Sequence, residues 1–146
     1  MPAIVADEEY CMGCRLCEIA CMAQRSGISD LAKALRPGRP RPQPGTRVET
    51  EGVRAVSISC RHCQQAPCLL ACLTGAMQRT QDGRVVVDRD RCAGCGTCVL
   101  VCPYGAVAIS PERKVASKCD LCPGWEQPAC VAACPNRALR VVEESP

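Results

Sequence analysis

Apolar residues along this chain come in short alternating runs separated by turn residues. The runs Ala3–Asp7 (AIVAD) and Ala138–Glu143 (ALRVVE) read as short strands near either end. Residues 76–88 (AMQRTQDGRVVVD) read as a hairpin, with Asp82-Gly83 at its turn. AVAIS (106–110) and KVAS (114–117) can pair across Pro111 to Arg113. Helical turns are expected where two cysteines stand four apart and share one helix face: Cys17/Cys21, Cys98/Cys102 and Cys130/Cys134. Residues 22–57 differ. They begin helix-like (AQRSGISDLAKAL), then become RPGRPRPQPG (36–45), where Pro alternates with Arg and Gly and neither a ladder nor a helix can form. That stretch reads as extended chain, either a solvated connection or a basic arm for a partner. The class is α+β, with short strands and short helices.

Composition changes this picture, because ordinary core material is scarce. The chain has 146 residues, no Phe, one Trp and two Tyr, but sixteen Cys. A one-domain chain of this length normally buries large side chains. Here something else must fill the middle. The cysteines fall into four quartets: Cys11, Cys14, Cys17, Cys21; Cys60, Cys63, Cys68, Cys72; Cys92, Cys95, Cys98, Cys102; and Cys119, Cys122, Cys130, Cys134. The first and third quartets share one spacing. The second and fourth share another, with a longer middle loop and a proline (Pro67, Pro128) shortly before the third cysteine. The order is A-B-A-B, an internal duplication.

Dense cysteine implies disulfides or metal. The N-terminus lacks the basic and apolar regions of a signal peptide, and no run is long enough to span a membrane. A cytoplasmic chain without disulfides is therefore expected. Thiolates select zinc, copper(I) or iron–sulfur clusters. Zinc sites take two CxxC pairs around one small ion. The A quartets instead offer three thiolates in quick succession, suited to the separate corners of a cubane, with the fourth thiolate pointing to a second cluster. Four [4Fe-4S] clusters follow, with all sixteen cysteines as ligands. Each such cluster carries about −2, so the formal charge of +3 becomes about −5. The Arg and Lys residues then offset cluster charge, and no nucleic-acid footprint is read from them. Gly13 and Gly94 stand at matching loop positions and are expected at positive φ. His62, between Cys60 and Cys63, is expected to lie behind a cluster or at the surface, and Trp125 to cover one. Residues 88–91 read as a solvated, mixed-charge edge. No catalytic constellation stands out. A zinc-binding interaction module and an iron–sulfur cluster carrier are the alternative readings. Spacing by itself also allows the quartets to pair sequentially, first with second and third with fourth.

At these sixteen cysteines the sequence resembles the four-cluster ferredoxin-like electron-transfer subunits. These accompany molybdenum and tungsten oxidoreductases of the dimethyl-sulfoxide-reductase and formate-dehydrogenase type. Similar proteins serve hydrogenases, carbon monoxide dehydrogenase and tungsten aldehyde oxidoreductases. The resemblance covers residues 1–142 and implies tandem bacterial-ferredoxin-like modules in one domain. Residues 58–110 would build an inner two-cluster module, 1–21 with 111–142 an outer one, and 22–57 an insertion. It also implies that the first quartet pairs with the fourth and the second with the third. The ligand sets would then be Cys11, Cys14, Cys17, Cys134; Cys119, Cys122, Cys130, Cys21; Cys60, Cys63, Cys68, Cys102; and Cys92, Cys95, Cys98, Cys72. The implied partners are a catalytic oxidoreductase subunit and a second redox subunit, for instance a flavoprotein. Self-association into a longer wire is a further expectation. The membrane anchor of some relatives is not expected here.

Overall fold

The structure, a computed structural model, describes residues 2–143. The chain opens with strand β1 (Ala3–Ala6), whose Ala3 and Ile4 point into the core. The first quartet leads into helix α1 (Leu16–Arg25), which buries Cys17 and Cys21 on one face. A single turn, α2 (Leu31–Ala34), follows, begun by Asp30, whose carboxylate accepts from the Lys33 amide. Residues 36–45 then run without strand or helix, as their prolines require.

After this arm comes a hairpin that the hydrophobic pattern was not read to contain. β2 (Thr46–Glu51) pairs antiparallel with β3 (Arg54–Ser59) through the turn at Gly52. Val48 and Ala55 of this hairpin join Ile4, Leu139, Cys17 and Cys60 in one buried cluster, so 46–59 is core structure and not arm.

The second quartet carries α3 (Pro67–Leu70), started by proline where a missing N–H costs nothing. β4 (Met77–Arg79) and β5 (Val85–Val87) form the hairpin expected at 76–88, with Gly83 at positive φ in its turn. The third quartet carries α4 (Thr97–Val101). β6 (Val107–Ile109) then pairs with β7 (Ala116–Lys118) across the expected turn. The fourth quartet carries α5 (Ala129–Ala133). β8 (Leu139–Val142) returns to pair antiparallel with β1, which ties the two ends of the described chain together.

Four separate two-stranded ribbons result, each too small to stand alone. They are held by two small cores. One gathers Ile4, Val48, Ala55, Val131 and Leu139 around Cys17, Cys60, Cys119 and Cys130. The other gathers Ala66, Met77, Val85, Val107 and Ala116 around Cys68. Helix α1 packs on α5 in the first half, and α3 on α4 in the second. No helix among the described residues is long and apolar enough to cross a membrane.

Candidate metal-cluster centres

Each quartet is a loop followed by a turn of helix. The third cysteine lies in the first turn of the helix (Cys17, Cys68, Cys98, Cys130), and the fourth lies four residues on, within the helix or just past its end. Four residues of helix rise about 6 Å, so the third and fourth thiols open onto different neighbourhoods. This holds for Cys68/Cys72 as well as for the three pairs expected to be helical.

The loop ahead of each helix shares one backbone feature in all four copies. The residue before the second cysteine has positive φ every time: Gly13 at 71°, His62 at 48°, Gly94 at 71° and Leu121 at 64°. The two glycines were legible as such. His62 and Leu121 adopt the same left-handed turn at a steric cost of roughly 1–2 kcal/mol each. A repeated cost of this kind marks a loop whose backbone is held in place for a purpose. In the B quartets the purpose is visible: the amides of His62 and Leu121 donate to the Sγ atoms of Cys60 and Cys119, at 3.3 and 3.4 Å.

Backbone amides reach five further thiols. Gly45 N–H donates to Cys21 Sγ at 3.1 Å, Ala116 to Cys92 at 3.3 Å, Ala106 to Cys102 at 3.4 Å, Ala138 to Cys134 at 3.3 Å and Met77 to Cys72 at 3.5 Å. Amides directed at sulfur favour the thiolate, the form that ligates metal.

Three cysteines of a quartet stay together, and the fourth joins the three of another quartet. One cavity is lined by Cys11, Cys14, Cys17 and Cys134. A second is lined by Cys60, Cys63, Cys68 and Cys102. A third is lined by Cys72, Cys92, Cys95 and Cys98. The remaining four, Cys21, Cys119, Cys122 and Cys130, are buried together: burial first, then the charges of Cys119, Cys21, Cys122 and Cys17, push the Cys130 thiol up. Each cavity therefore takes three thiols from one quartet and the last thiol of another.

The groups also adjoin one another. The cysteine pairs of α1 and α5 join the first group to the buried group, and Cys60 of the next group shares one buried cluster with Cys119 and Cys130. Helix α3 then links Cys68 to Cys72, and α4 links Cys98 to Cys102, joining the last two groups. The buried group and the Cys60 group form the middle. The end groups each present an exposed cysteine, Cys14 and Cys95.

These groups fit an iron–sulfur cage better than a single ion. Among the described residues no three His, Cys, Asp or Glu side chains close on one point as a zinc site requires. Burial raises the thiols of Cys17, Cys63, Cys68, Cys98 and Cys122, and pushes Cys119 up to about 12. Only bound cations would hold so many buried thiols as thiolates. Two less enclosed thiols move the other way: the Met77 amide lowers Cys72, and the Thr97 hydroxyl lowers Cys95.

Two buried polar side chains line the second cavity, and the sequence pointed to only one of them. His62 is fully buried, which removes the surface role considered for it. Its Nδ1 accepts the Val85 N–H at 3.0 Å. Burial, then the charges of Lys118 and Arg84, push its pKa down to about 3, so the ring is neutral. Lys118 is 4% exposed, and its Nζ donates to the carbonyl oxygens of Val85 and Cys119. Nothing in the pattern KVASK (114–118) marks this lysine as buried. Arg61 lies 4.6 Å over the Tyr104 ring at the edge of the same cavity. Trp125 does not seal the fourth quartet as expected. It stands 56% exposed, on the positive-φ turn at Gly124, and lines an open groove beside Cys122.

Comparison with known proteins places this geometry. The model of a 4Fe-4S dicluster domain matches residues 53–144, and that of a 4Fe-4S binding domain matches residues 8–23. The electron transport protein HydN of Escherichia coli K12 is 40% identical over 97% of this chain and 88% of its own length. The thiosulfate reductase electron transfer subunit PhsB of Salmonella typhi is 37% identical over 92% of this chain and 71% of its own length. Among solved structures, the active site complex BamBC of benzoyl coenzyme A reductase, as isolated, superposes with a TM-score of 0.53 at 25% identity. The likeness covers 97% of this chain and 76% of that one. Cysteine loops, ribbons and relatives agree: this chain belongs to the ferredoxin-type [4Fe-4S] electron-transfer proteins, built to bind several clusters.

Proposed function

We propose that the chain is the electron-transfer subunit of an oxidoreductase complex, relaying single electrons between a catalytic subunit and a second redox subunit or carrier. The observation that carries this reading is the set of four-cysteine groups, three of which each line a cavity of their own. In this reading Cys11, Cys14, Cys17 and Cys134 hold one [4Fe-4S] cluster, and Cys21, Cys119, Cys122 and Cys130 the next. Cys60, Cys63, Cys68 and Cys102 hold the third, and Cys72, Cys92, Cys95 and Cys98 the fourth. Bound clusters of this kind supply one-electron storage. The chain supplies proximity: in the outer pair and in the inner pair, ligands of adjoining groups stand about one helical turn apart on the same quartet helix, and the two pairs meet where Cys60 and Cys119 share one buried cluster.

Residues 58–110 build the inner pair of sites in this reading, and 1–21 with 111–142 the outer pair, all within one unit. β7 pairs with β6 and so braces the inner pair as well. Electrons enter and leave at the ends, beside the exposed Cys14 and Cys95. Exposed apolar side chains flank both: Tyr10, Met12 and Leu16 at one end, Leu70, Leu73 and Leu100 at the other. The names of the relatives support a catalytic partner of the reductase type, with a molybdenum or tungsten centre as the family resemblance implies, in the cytoplasm.

The pairing is tested by four cysteine variants of the anaerobically prepared chain. Cys14→Ser and Cys134→Ser are expected to remove or alter the same paramagnetic resonance signal. Cys95→Ser and Cys72→Ser should share a different one. If Cys14→Ser shared its signal with Cys72→Ser, the quartets would pair sequentially and the proposed ligand sets would be wrong. A colourless protein holding zinc would end the relay reading altogether.

A further inference from the structure

Val85 is fully buried, and both of its backbone groups serve side chains of the second cavity: its N–H donates to His62 Nδ1, and its C=O accepts from Lys118 Nζ. Because Nδ1 accepts, the neutral ring carries its hydrogen on Nε2. That Nε2 is buried and has no hydrogen-bond partner. A buried donor left without an acceptor is costly, and native proteins rarely keep one. The ring is held there by a left-handed backbone at φ 48°, where the A quartets use glycine.

Lys118 differs: its ammonium donates to two carbonyl oxygens but has no counter-charge. Among the described residues it is the one buried Lys, Arg, Asp or Glu, and no carboxylate there pairs with it. Buried cations are normally paired. Lys118 and the orphaned His62 Nε2 both belong to the wall of the cavity of Cys60, Cys63, Cys68 and Cys102, with Arg61 stacked on Tyr104 at its edge. The cavity of Cys72, Cys92, Cys95 and Cys98 has no charged residue on its wall. The cavity of Cys11 has only Arg15, which is exposed and paired with Glu18. Arg25, near Cys122, directs its terminal nitrogens to Gln43 O, Ser117 Oγ and Lys118 O.

We infer that the His62 Nε2–H and the Lys118 ammonium act on the cluster held by Cys60, Cys63, Cys68 and Cys102 and selectively raise its reduction potential, making the third group a place where an electron settles within the relay. A donor and a positive charge beside the sulfurs stabilise the reduced, more negative form. One electron arrives from the neighbouring group; no bond is made or broken, and both N–H groups keep their hydrogens. The inference rests on the ligand sets proposed above.

His62 is the only histidine of the chain, so labelling with 15N-histidine reports on it alone. In the intact, cluster-loaded chain one reduced cluster should show a 15N coupling, together with a proton coupling lost in D2O. Lys118→Met and His62→Leu should each lower the midpoint of that same cluster, with about a tenfold change in its one-electron equilibrium constant, or 59 mV, and leave the other three in place. Lys118→Arg should restore most of the Lys118→Met shift. Full iron content with no 15N coupling on any cluster would overturn the inference and leave the relay standing. So would variants that move no midpoint, or all four alike. Absence of iron–sulfur signals from the unsubstituted chain would overturn the relay itself and this inference with it. The labelling arm needs no substitution, so it decides the matter even if His62→Leu fails to assemble.

Discussion

At the residue scale, the backbone of the cysteine loops carries as much information as the thiols. Gly94 sits at φ 71°, and a Cβ there would run into the carbonyl oxygen of Lys114. Gly124 has a similar φ of 84° with nothing within 4 Å. The two glycines separate backbone strain from close approach. Gly124→Ala should cost roughly 1–2 kcal/mol from the left-handed turn alone and keep all its iron. Gly94→Ala meets the strain and the collision together. It should lose one cluster's worth of iron, from the group containing Cys92, Cys95 and Cys98. Iron content and the rate of cluster loss under oxygen check both, and equal behaviour of the two variants would refute the account. Gly13 and Gly94 were readable from sequence because glycine is the residue that reaches this region freely. His62 and Leu121 hold the same conformation and were not readable, since nothing local favours them there; the loop around them imposes it.

At the element scale, short strands and single helical turns have almost no stability of their own. They are placed by the few groups that bridge them. Arg25 at the end of α1 is the clearest bridge: it donates to Gln43 O in the arm at 3.0 Å, to Ser117 Oγ of β7 at 2.8 Å and to the Lys118 carbonyl. It thereby pins the arm where Gly45 N–H meets Cys21 Sγ. Each such charged hydrogen bond contributes about 1.5–3 kcal/mol, so Arg25→Met should destabilise the fold by about 2 kcal/mol or more. Limited proteolysis should then cut within 36–45 sooner, and the cluster of the Cys21 group should be the first lost. Unchanged cleavage would show that the prolines alone hold the arm. The hairpin β2–β3 lies just beyond. Its alternation (Val48, Ala55, Ser57) is visible in the sequence once sought, yet the Pro/Arg run before it made the whole of 22–57 read as connection. Packing against β1 and α1 decides otherwise, by placing Val48 and Ala55 beside Ile4 and Cys17.

At the scale of the whole molecule, the cores are small and contain no phenylalanine. Seven of the buried apolar residues are cysteines, and burial pushes most of their thiols up. The folded chain therefore depends on the clusters for both volume and charge balance. Removing iron by anaerobic chelation should unfold the chain, with loss of its circular dichroism and of protease resistance. A native-like spectrum in the iron-free chain would contradict this. The same dependence joins folding to function: the groups that hold the halves together are the groups that carry electrons. The ends β1 and β8 pair directly, which brings the first and fourth quartets side by side.

The type of centre was settled by sequence alone. Four quartets with repeated spacing demand soft, multi-iron chemistry, because thiolates so close along a loop reach separate corners of a cage and not one small ion. The chain also declared its hairpin at 76–88 and its helical turns, since both follow from local spacing. Which thiols share a cavity does not follow from spacing and depends on the tertiary structure. A helix turn points successive thiols to different neighbours, and which neighbour lies there depends on strand pairings between residues more than a hundred positions apart, such as Ala3 with Val142. The burial of Lys118 and His62 was decided in the same way: local sequence cannot say which polar side chain the closing fold will shut in beside the sulfur.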